Sequence, residues 1–404
     1  MELERLGVKL HIFSSKYPTD AVSHEKVKVV NAQVTYLPEE LGAEKLRILK
    51  AFFSVLVKYP VGTLSTFGHE LKIKIFKANS KSLKRFFQSC CIIEQLEDIK
   101  HIHAHFITVP TRLVSLVYKI TGISYSISTH AKDLYFEDRM NASNIKRRIR
   151  ASRFVIANSK KSASDIKTSL SKIYATDIHT VYNGLDLSMF KFREKEPENP
   201  VILGVGRLEE KKGFACLIDA CKILADRGIS FRCKIVGDGS LKELLSDLIK
   251  KNKLSDIVEL IESLPQHELV ELYNESMIFS LPCVVTENGD RDVLPNVVKE
   301  AMAIGLPVVT TSIPAMDELV MDGKSGILVA ERDSLALSDA LQKLIDDPRL
   351  RKSLALEGRK VIEDKFNTEN NVLKLKNILS EIIAEKAIVS QRSDEAKSFL
   401  EEGI

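Results

Sequence analysis

The stretch Val201-Ile202-Leu203-Gly204-Val205-Gly206-Arg207-Leu208-Glu209-Glu210-Lys211-Lys212-Gly213-Phe214 decides the fold. A short apolar run predicts a strand over Val201–Val205 that ends in a tight turn at Gly206. A helical apolar period then takes over across Phe214–Asp226. The same order returns one step later. Arg232–Val236 reads as a strand, Gly237-Asp238-Gly239 as a turn, and Leu241–Asn252 as a helix with Ser240 as its candidate cap. Strand, helix and strand at this spacing build a parallel sheet wrapped by helices.

The alternation continues in both directions. Strands are expected at Val258–Ile261, Ile278–Leu281, Val308–Thr310 and Ile327–Val329, with helices at His267–Asn274 and Asn296–Ala303. On the N-terminal side, strands are expected at Val8–Phe13, Ile102–Phe106, Tyr125–Ser128, Phe154–Ala157 and Thr180–Tyr182. Between the two series, residues 191–200 are charged, carry Pro197 and Pro200 and show no period, so they read as an interdomain linker. The expected division is a domain over 1–195, a second over 196–388, and a polar tail over 389–404. From Leu350 to about Lys386 the chain reads as helical. Two doubly wound sheets facing each other place ligands in the cleft between them, at the carboxyl ends of strands.

Charge separates the same two halves. The 404 residues carry a net charge of +4, yet residues 1–195 hold 32 Lys and Arg against 18 Asp and Glu, while 196–404 hold 27 against 37. Basic residues cluster at Lys72, Lys74, Lys77, Lys81, Lys84 and Arg85, and again at Lys146, Arg147, Arg148, Arg150 and Arg153. The first cluster interleaves with Ile73, Ile75, Phe76, Phe86 and Phe87, a pattern suited to an anionic membrane surface or to a solvated helix face. No stacking or helix-turn-helix signature accompanies the charge, so nucleic acid is not an expected partner. No apolar run reaches the roughly 20 residues that span a bilayer, and Met1–Arg5 does not open a signal peptide, so a cytoplasmic location is expected. Six cysteines without a C-x-x-C pair read as reduced, buried thiols.

Four places carry candidate chemistry. Arg207 and Lys212 follow the first Gly turn, and a planar fork beside a point charge suits a diphosphate. Gly206 and Gly237 would let a ligand approach the backbone. In Asp290-Arg291-Asp292-Val293-Leu294-Pro295-Asn296-Val297 an acidic loop runs into Pro295 at a helix start, whose free N–H groups suit a phosphate. Asp292 and Glu300 are eight residues apart and suit two different sets of hydroxyls, such as a sugar and a ribose. His130 follows a strand and faces the expected cleft, and His101, His103 and His105 share one face of another strand. A metal held by those histidines, or by Asp290-Arg291-Asp292 as a D-x-D site, is the competing reading.

Taken together, these motifs resemble the family-four retaining glycosyltransferases of GT-B fold, and most closely the colanic-acid and exopolysaccharide type. The resemblance rests on Gly206-Arg207 with Lys212-Gly213, on Val236-Gly237-Asp238-Gly239, and on Glu300-Ala301-Met302-Ala303-Ile304-Gly305-Leu306-Pro307. Glu318, His130 with Asp133, Asn158-Ser159 and Tyr182-Asn183-Gly184-Leu185-Asp186 support it. It implies two Rossmann-like domains facing across a cleft, with C-terminal helices crossing back to the first. Arg207 and Lys212 would grip the donor diphosphate and offset charge on the leaving group. Asp292, one methylene shorter than the usual Glu of the E-x7-E motif, would hold the donor sugar, and Glu300 the ribose. The backbone at Leu294, Pro295, Asn296 and Val297 would hold phosphate or sugar oxygens, and His130 would lie near the transferred sugar. The implied reaction moves a hexose from a UDP- or GDP-linked sugar to a lipid-linked or polysaccharide acceptor with retention, by front-face attack, with no metal or other cofactor. The family's first strand and Gly-rich loop have no match here, since Met1–Gly7 resembles the end of the family's first helix. That makes an inactive GT-B protein, binding nucleotide or a partner transferase, the alternative.

Overall fold

The structure, a computed structural model, describes residues 1–18, 29–76, 81–170 and 176–381. Lys77, the end of the C-terminal helical run past 381 and the 389–404 tail lie outside those residues. The described residues form three sheets, all parallel. Strands β1 (His11–Ser14) and β2 (Gln33–Tyr36) pair with each other. Strands β3 (Ile102–His105), β4 (Tyr125–Thr129), β5 (Phe154–Ala157) and β6 (Asp177–Thr180) follow in sequence order. The largest sheet takes β7 (Val201–Val205), β8 (Arg232–Val236), β9 (Val258–Ile261), β10 (Ile278–Leu281), β11 (Val308–Thr311) and β12 (Ile327–Val329). Its order is β12-β11-β10-β7-β8-β9. The chain thus winds outward from β7 and then, from β10, in the other direction. The crevice of such a sheet opens at that switch, between the loops after β7 and β10.

Helices in chain order are α1 (Glu2–Arg5), α2 (Lys45–Lys58), α3 (Pro60–Phe76), α4 (Lys81–Ile93), α5 (Val109–Thr121), α6 (Ala131–Tyr135), α7 (Ser143–Arg150) and α8 (Lys160–Leu170). In the second half they are α9 (Phe214–Asp226), α10 (Lys242–Lys251), α11 (Gln266–Glu275), α12 (Asn296–Ile304), α13 (Ser334–Asp346) and α14 (Pro348–Lys365). A last helix, α15, covers residues 368–381. Strands β4, β5, β10 and β11 are buried at every residue, as expected of parallel strands covered by helices on both sides. Gly213 starts α9 in the left-handed region at φ 69°, and a Cβ there would stand 1.8 Å from the Pro282 carbonyl oxygen. A side chain is excluded at that point, and the loops after β7 and β10 can touch.

The β-strands expected from β7 onward agree with the structure to within a residue. Other expectations shift. The strand expected at Thr180–Tyr182 forms at Asp177–Thr180, because Tyr182 has left the sheet to donate its hydroxyl proton to Glu318 at 2.8 Å. Strand β2 was not legible, since Gln33 and Thr35 break its apolar pattern. Ser240 does not cap α10; Leu241 holds that position without a side-chain bond. The helical run after Leu350 breaks at Phe366 and Asn367.

The charged segment 191–200 is not where the chain crosses between halves. Leu185 and Phe190 already pack in the core built on β7–β12. The Arg193 amide bonds the Ile304 carbonyl, and its guanidinium bonds the Ser276 carbonyl at 2.6 Å. Val181, one turn earlier, packs with Phe154, Ile156 and Ile378 of the first half. The crossing therefore lies at Tyr182–Gly184. The chain returns beside it: Leu185 donates to the Phe366 carbonyl, and Thr368 donates to the Leu185 carbonyl. Helix α15 then lies on the first half, where Lys374 bonds the Thr180 carbonyl and Lys376 the Leu6 carbonyl, each at 2.8 Å.

A Cβ on Gly184 would stand 2.4 Å from the Thr368 backbone. Gly184→Ala should force the two crossings apart and destabilise the protein by about 1–3 kcal/mol, the usual range for overpacking. Thermal denaturation checks this against Gly42→Ala, whose Cβ meets nothing within 4 Å.

Candidate functional site

The loops at the switch of the large sheet bring together residues some 80 positions apart. After β7, the Gly206 amide bonds the Val236 carbonyl and the Leu208 amide bonds the Asp238 carbonyl, which locks this loop onto the one after β8. A Cβ on Gly237 would lie 2.0 Å from the Gly206 carbonyl oxygen, so the two loops pack backbone to backbone. The loop after β10 joins them, because the Val284 amide bonds the Lys211 carbonyl at 2.9 Å.

This frame separates the two expected diphosphate ligands. Lys212 is buried and meets Asp292 at 2.6 Å, its stem running past Gly206. Arg207 stands outward, 62% exposed, and pairs with Glu209 at 2.7 Å. Lys211, also buried, pairs with Asp290 at 3.1 Å. Asp290 and Asp292, the two carboxylates of the competing D-x-D reading, thus each carry a lysine partner. Among the described residues no group of three His, Cys, Asp or Glu side chains is arranged to hold a metal ion. Burial, followed by the charge of Asp292, pushes the Cys283 thiol well above its ordinary value.

Helix α12 rises directly from this loop. Leu294 takes a positive φ of 54°, Pro295 precedes the first turn, and no side chain caps the helix. The amides that open α12 at Asn296 and Val297 therefore belong to the uncapped first turn and offer an anion-binding end. Glu300 sits one turn further on. It accepts the Tyr273 hydroxyl at 3.1 Å, and burial pushes its carboxyl above the usual range. Its neighbour Lys299 turns the other way, is fully buried, and donates to the Asn183 carbonyl at 2.9 Å. Burial lowers that ammonium to about 8.

His130 lies across the cleft at the end of β4. Its Nε2 is 2.9 Å from His105 Nε2, a contact two neutral rings can make with one donating and the other accepting. Burial, with the neighbouring His105, lowers His130 to about 4. Asp133 accepts the amides of His130 and Ile107, and burial raises its carboxyl to about 6. His101 and His103 are not part of this pair. Each bridges two serine hydroxyls of the β4 face: Ser124 and Ser126 for His101, and Ser126 and Ser128 for His103.

No direct contact joins His130 to Lys212 or Asp292, but the elements that carry them meet. The Arg291 guanidinium lies 3.6 Å from the centre of the Tyr135 ring, on the helix that begins after His130. Tyr135 in turn donates to Asp165 at 2.9 Å. Nearby, the Glu137 amide bonds the Asn288 carbonyl. A second bridge is Glu318, whose carboxylate accepts the amides of Lys160 and Lys161 at the start of α8, each at 2.8 Å. Nothing in the local sequence pairs Arg291 with Tyr135, or Lys211 with Asp290. Partners so far apart carry no spacing signal.

With this geometry in place, comparison with known proteins is specific. Residues 188–361 match the family described as "Glycosyl transferases group 1". Over 203 residues the chain is 36% identical to the putative colanic acid biosynthesis glycosyltransferase WcaL of Salmonella typhimurium, covering 49% of this chain and 50% of that protein. It is 34% identical over 210 residues to the amylovoran biosynthesis glycosyltransferase AmsK of Erwinia amylovora, covering 52% of each. The matches thus span about half the length of these curated relatives. Among solved structures, sucrose-phosphate synthase from Thermosynechococcus elongatus superposes with a TM-score of 0.68 at 18% identity, covering 95% of this chain and 91% of that one. Anabaena HepE in complex with UDP and glucose gives 0.62 at 20% identity, covering 72% and 81%. Residues 188–361 thus resemble a group 1 glycosyltransferase domain, and the chain as a whole has the GT-B fold of the structures it superposes on.

The histidine ladder gives the first half a pH signature. Burial, with the charges of His101 and His105, lowers His103 to about 3, against an ordinary value of 6.5. A base whose folded value is depressed stabilises the fold fully above 6.5 and progressively less as pH falls toward 3. Stability should therefore drop between pH 6.5 and 5, with His103 supplying at most about 1.4 kcal/mol per pH unit. His103→Asn should flatten that slope in denaturant titrations at pH 7, 6 and 5.

Proposed function

We propose that this protein is a retaining glycosyltransferase of cell-surface polysaccharide biosynthesis. It moves a hexose from a UDP- or GDP-linked sugar to a lipid-linked or polysaccharide acceptor. The observation that carries this reading is the Lys212–Asp292 pair at 2.6 Å beside the uncapped start of α12, with Glu300 on the same helix. A cation, a carboxylate and free amides at one sheet switch match the three parts of a nucleotide sugar. In this reading Lys212 and Arg207 hold the diphosphate, and Asp292 passes from its lysine to the sugar hydroxyls. The amides from Leu294 to Val297 take phosphate or sugar oxygens, Glu300 takes the ribose, and His130 with His105 walls the sugar on the far side.

The transfer breaks the bond between the anomeric carbon and the diphosphate oxygen and forms one to an acceptor hydroxyl oxygen. The acceptor proton passes to the departing phosphate, whose new charge Arg207 and Lys212 stabilise. No protein nucleophile and no metal is assigned. The relatives named for colanic acid and amylovoran biosynthesis support an exopolysaccharide product, and HepE, solved with UDP, supports a uridine donor. Work at the cytosolic face of a membrane fits a lipid-linked acceptor.

Calorimetric titration with UDP, GDP and ADP tests the donor site. One nucleotide should bind, and Arg207→Ala should weaken it by about 10-fold or more, as expected for a charged hydrogen bond. Lys212→Ala should abolish it. No binding by any nucleotide would sink the reading. The matching nucleotide sugar should then yield product of unchanged anomeric configuration by NMR. Nucleotide binding without transfer to any lipid-linked acceptor would favour the non-catalytic alternative.

A further inference from the structure

Helices α2 and α3 bury one face on α4 and leave the other uncovered. Ile48, Ala51 and Val55 of α2 enter the core with Phe86, Cys90 and Cys91 of α4. On the opposite face Leu46, Leu49, Phe53 and Val57 are exposed, and at 100° per residue they fall within about a quarter turn of one another. The outer face of α3 continues the pattern with Val61, Leu64 and Ile75. Leu46, Val57 and Val61 are 86%, 84% and 81% exposed, far beyond scattered surface apolar residues.

Charge on this face is of one sign. Lys45 and Lys50 border the α2 stripe, Lys58 closes the last turn of α2, and Lys72 and Lys74 stand on α3, all exposed. Lys50 alone among them reaches a carboxylate, Glu94 of α4, at 3.7 Å. The one acidic residue within the two helices, Glu70, is buried against Arg112. The basic cluster seen in the sequence at residues 72–85 therefore splits. Lys72 and Lys74 stand outward, whereas Arg85 is half-buried and bonds Gln88, and Phe86 is core.

We propose that the outer face of α2 and α3 is a docking surface for an anionic lipid bilayer. The leucine, valine and phenylalanine side chains would enter the interfacial region while the flanking lysines reach lipid phosphates, the arrangement of an interfacial amphipathic helix. A second copy of this face is a poor occupant, because it would set lysine against lysine. The inference stands apart from glycosyl transfer, since lipid binding is read without donor or acceptor.

Flotation of the full chain with vesicles at 150 mM salt tests it. Binding is expected to phosphatidylcholine vesicles holding 30% phosphatidylglycerol and not to pure phosphatidylcholine. Lys45→Gln/Lys58→Gln/Lys72→Gln should weaken partitioning on the order of 100-fold, from about 1 kcal/mol per basic residue. Phe53→Ser/Val57→Ser/Leu64→Ser, at unchanged charge, should weaken it at least 10-fold. Lys146→Gln/Arg147→Gln, on the other basic cluster, should leave it unchanged. The lysine and apolar variants of α2 and α3 should keep the parent melting temperature, because every side chain they replace is exposed. The proposal is overturned by absence of binding to the anionic vesicles, or by loss confined to the Lys146/Arg147 variant. Indifference to the apolar variant overturns it as well. So does a lipid-free dimer in sedimentation velocity that the apolar variant dissolves, which would make the face a contact between copies.

Discussion

Leu185 donates to the Phe366 carbonyl at 2.6 Å and accepts from Thr368 at 3.1 Å, so the two passages of the chain between its halves run as one parallel bridge. Everything that faces the cleft depends on this bridge. It sets where the first sheet's strand ends stand relative to the second's. Lys299 reinforces it from below, holding the Asn183 carbonyl with a fully buried ammonium that also lies over the Phe366 ring. A buried lysine is tolerated only where a carbonyl or charge takes its protons, and its neighbour Glu300 faces the candidate donor site. Helix α12 thereby connects the bridge to the site through two adjacent residues.

Around the cleft the dominant force is electrostatic rather than hydrophobic. Three cations, Lys211 and Lys212 from the loop after β7 and Arg291 from the loop after β10, meet Asp290, Asp292 and the Tyr135–Asp165 pair of the first half. Each pair costs desolvation and is offset by close contact. The lysines' partners are carboxylate oxygens, the same charged acceptor chemistry that a phosphate presents. Glu318 acts similarly at the other side, where it accepts the first two amides of α8 while the local Ser159 hydroxyl accepts the third, from Ser162. The amide ends of α8 and the Tyr182 hydroxyl converge on a single carboxylate from the opposite half. Rotation of the halves would have to break these contacts.

In the second half the strands were legible to within a residue, whereas helix α13 (Ser334–Asp346) was not anticipated. The strands there are short apolar runs, the other helices carry clean periods, and the turns are glycines that the packing requires, as at Gly213 and Gly237. The first half was less legible. Strand β2 has a polar edge pattern, and Tyr182 has strand chemistry but serves the crossing. The charged segment 191–200 looks like a linker but is tied down by Arg193 and by Arg351 on Glu196. Composition alone misled there because the partners of those charges lie far along the chain.

What the sequence determined by itself was the local grammar: alternating strands and helices, the glycine turns, the spacing of Asp292 and Glu300, and the basic excess of the first half. Those depend on neighbours within a few residues, where steric and periodic rules hold. Only the tertiary structure decided that Lys212 turns inward to Asp292 while Arg207 turns out. It alone placed Arg291 on Tyr135, and sorted the basic and apolar residues between positions 45 and 87 into a core face and a uniformly lysine-bordered outer face. Those outcomes rest on pairings between distant segments, which are fixed by packing and desolvation and leave no trace in spacing.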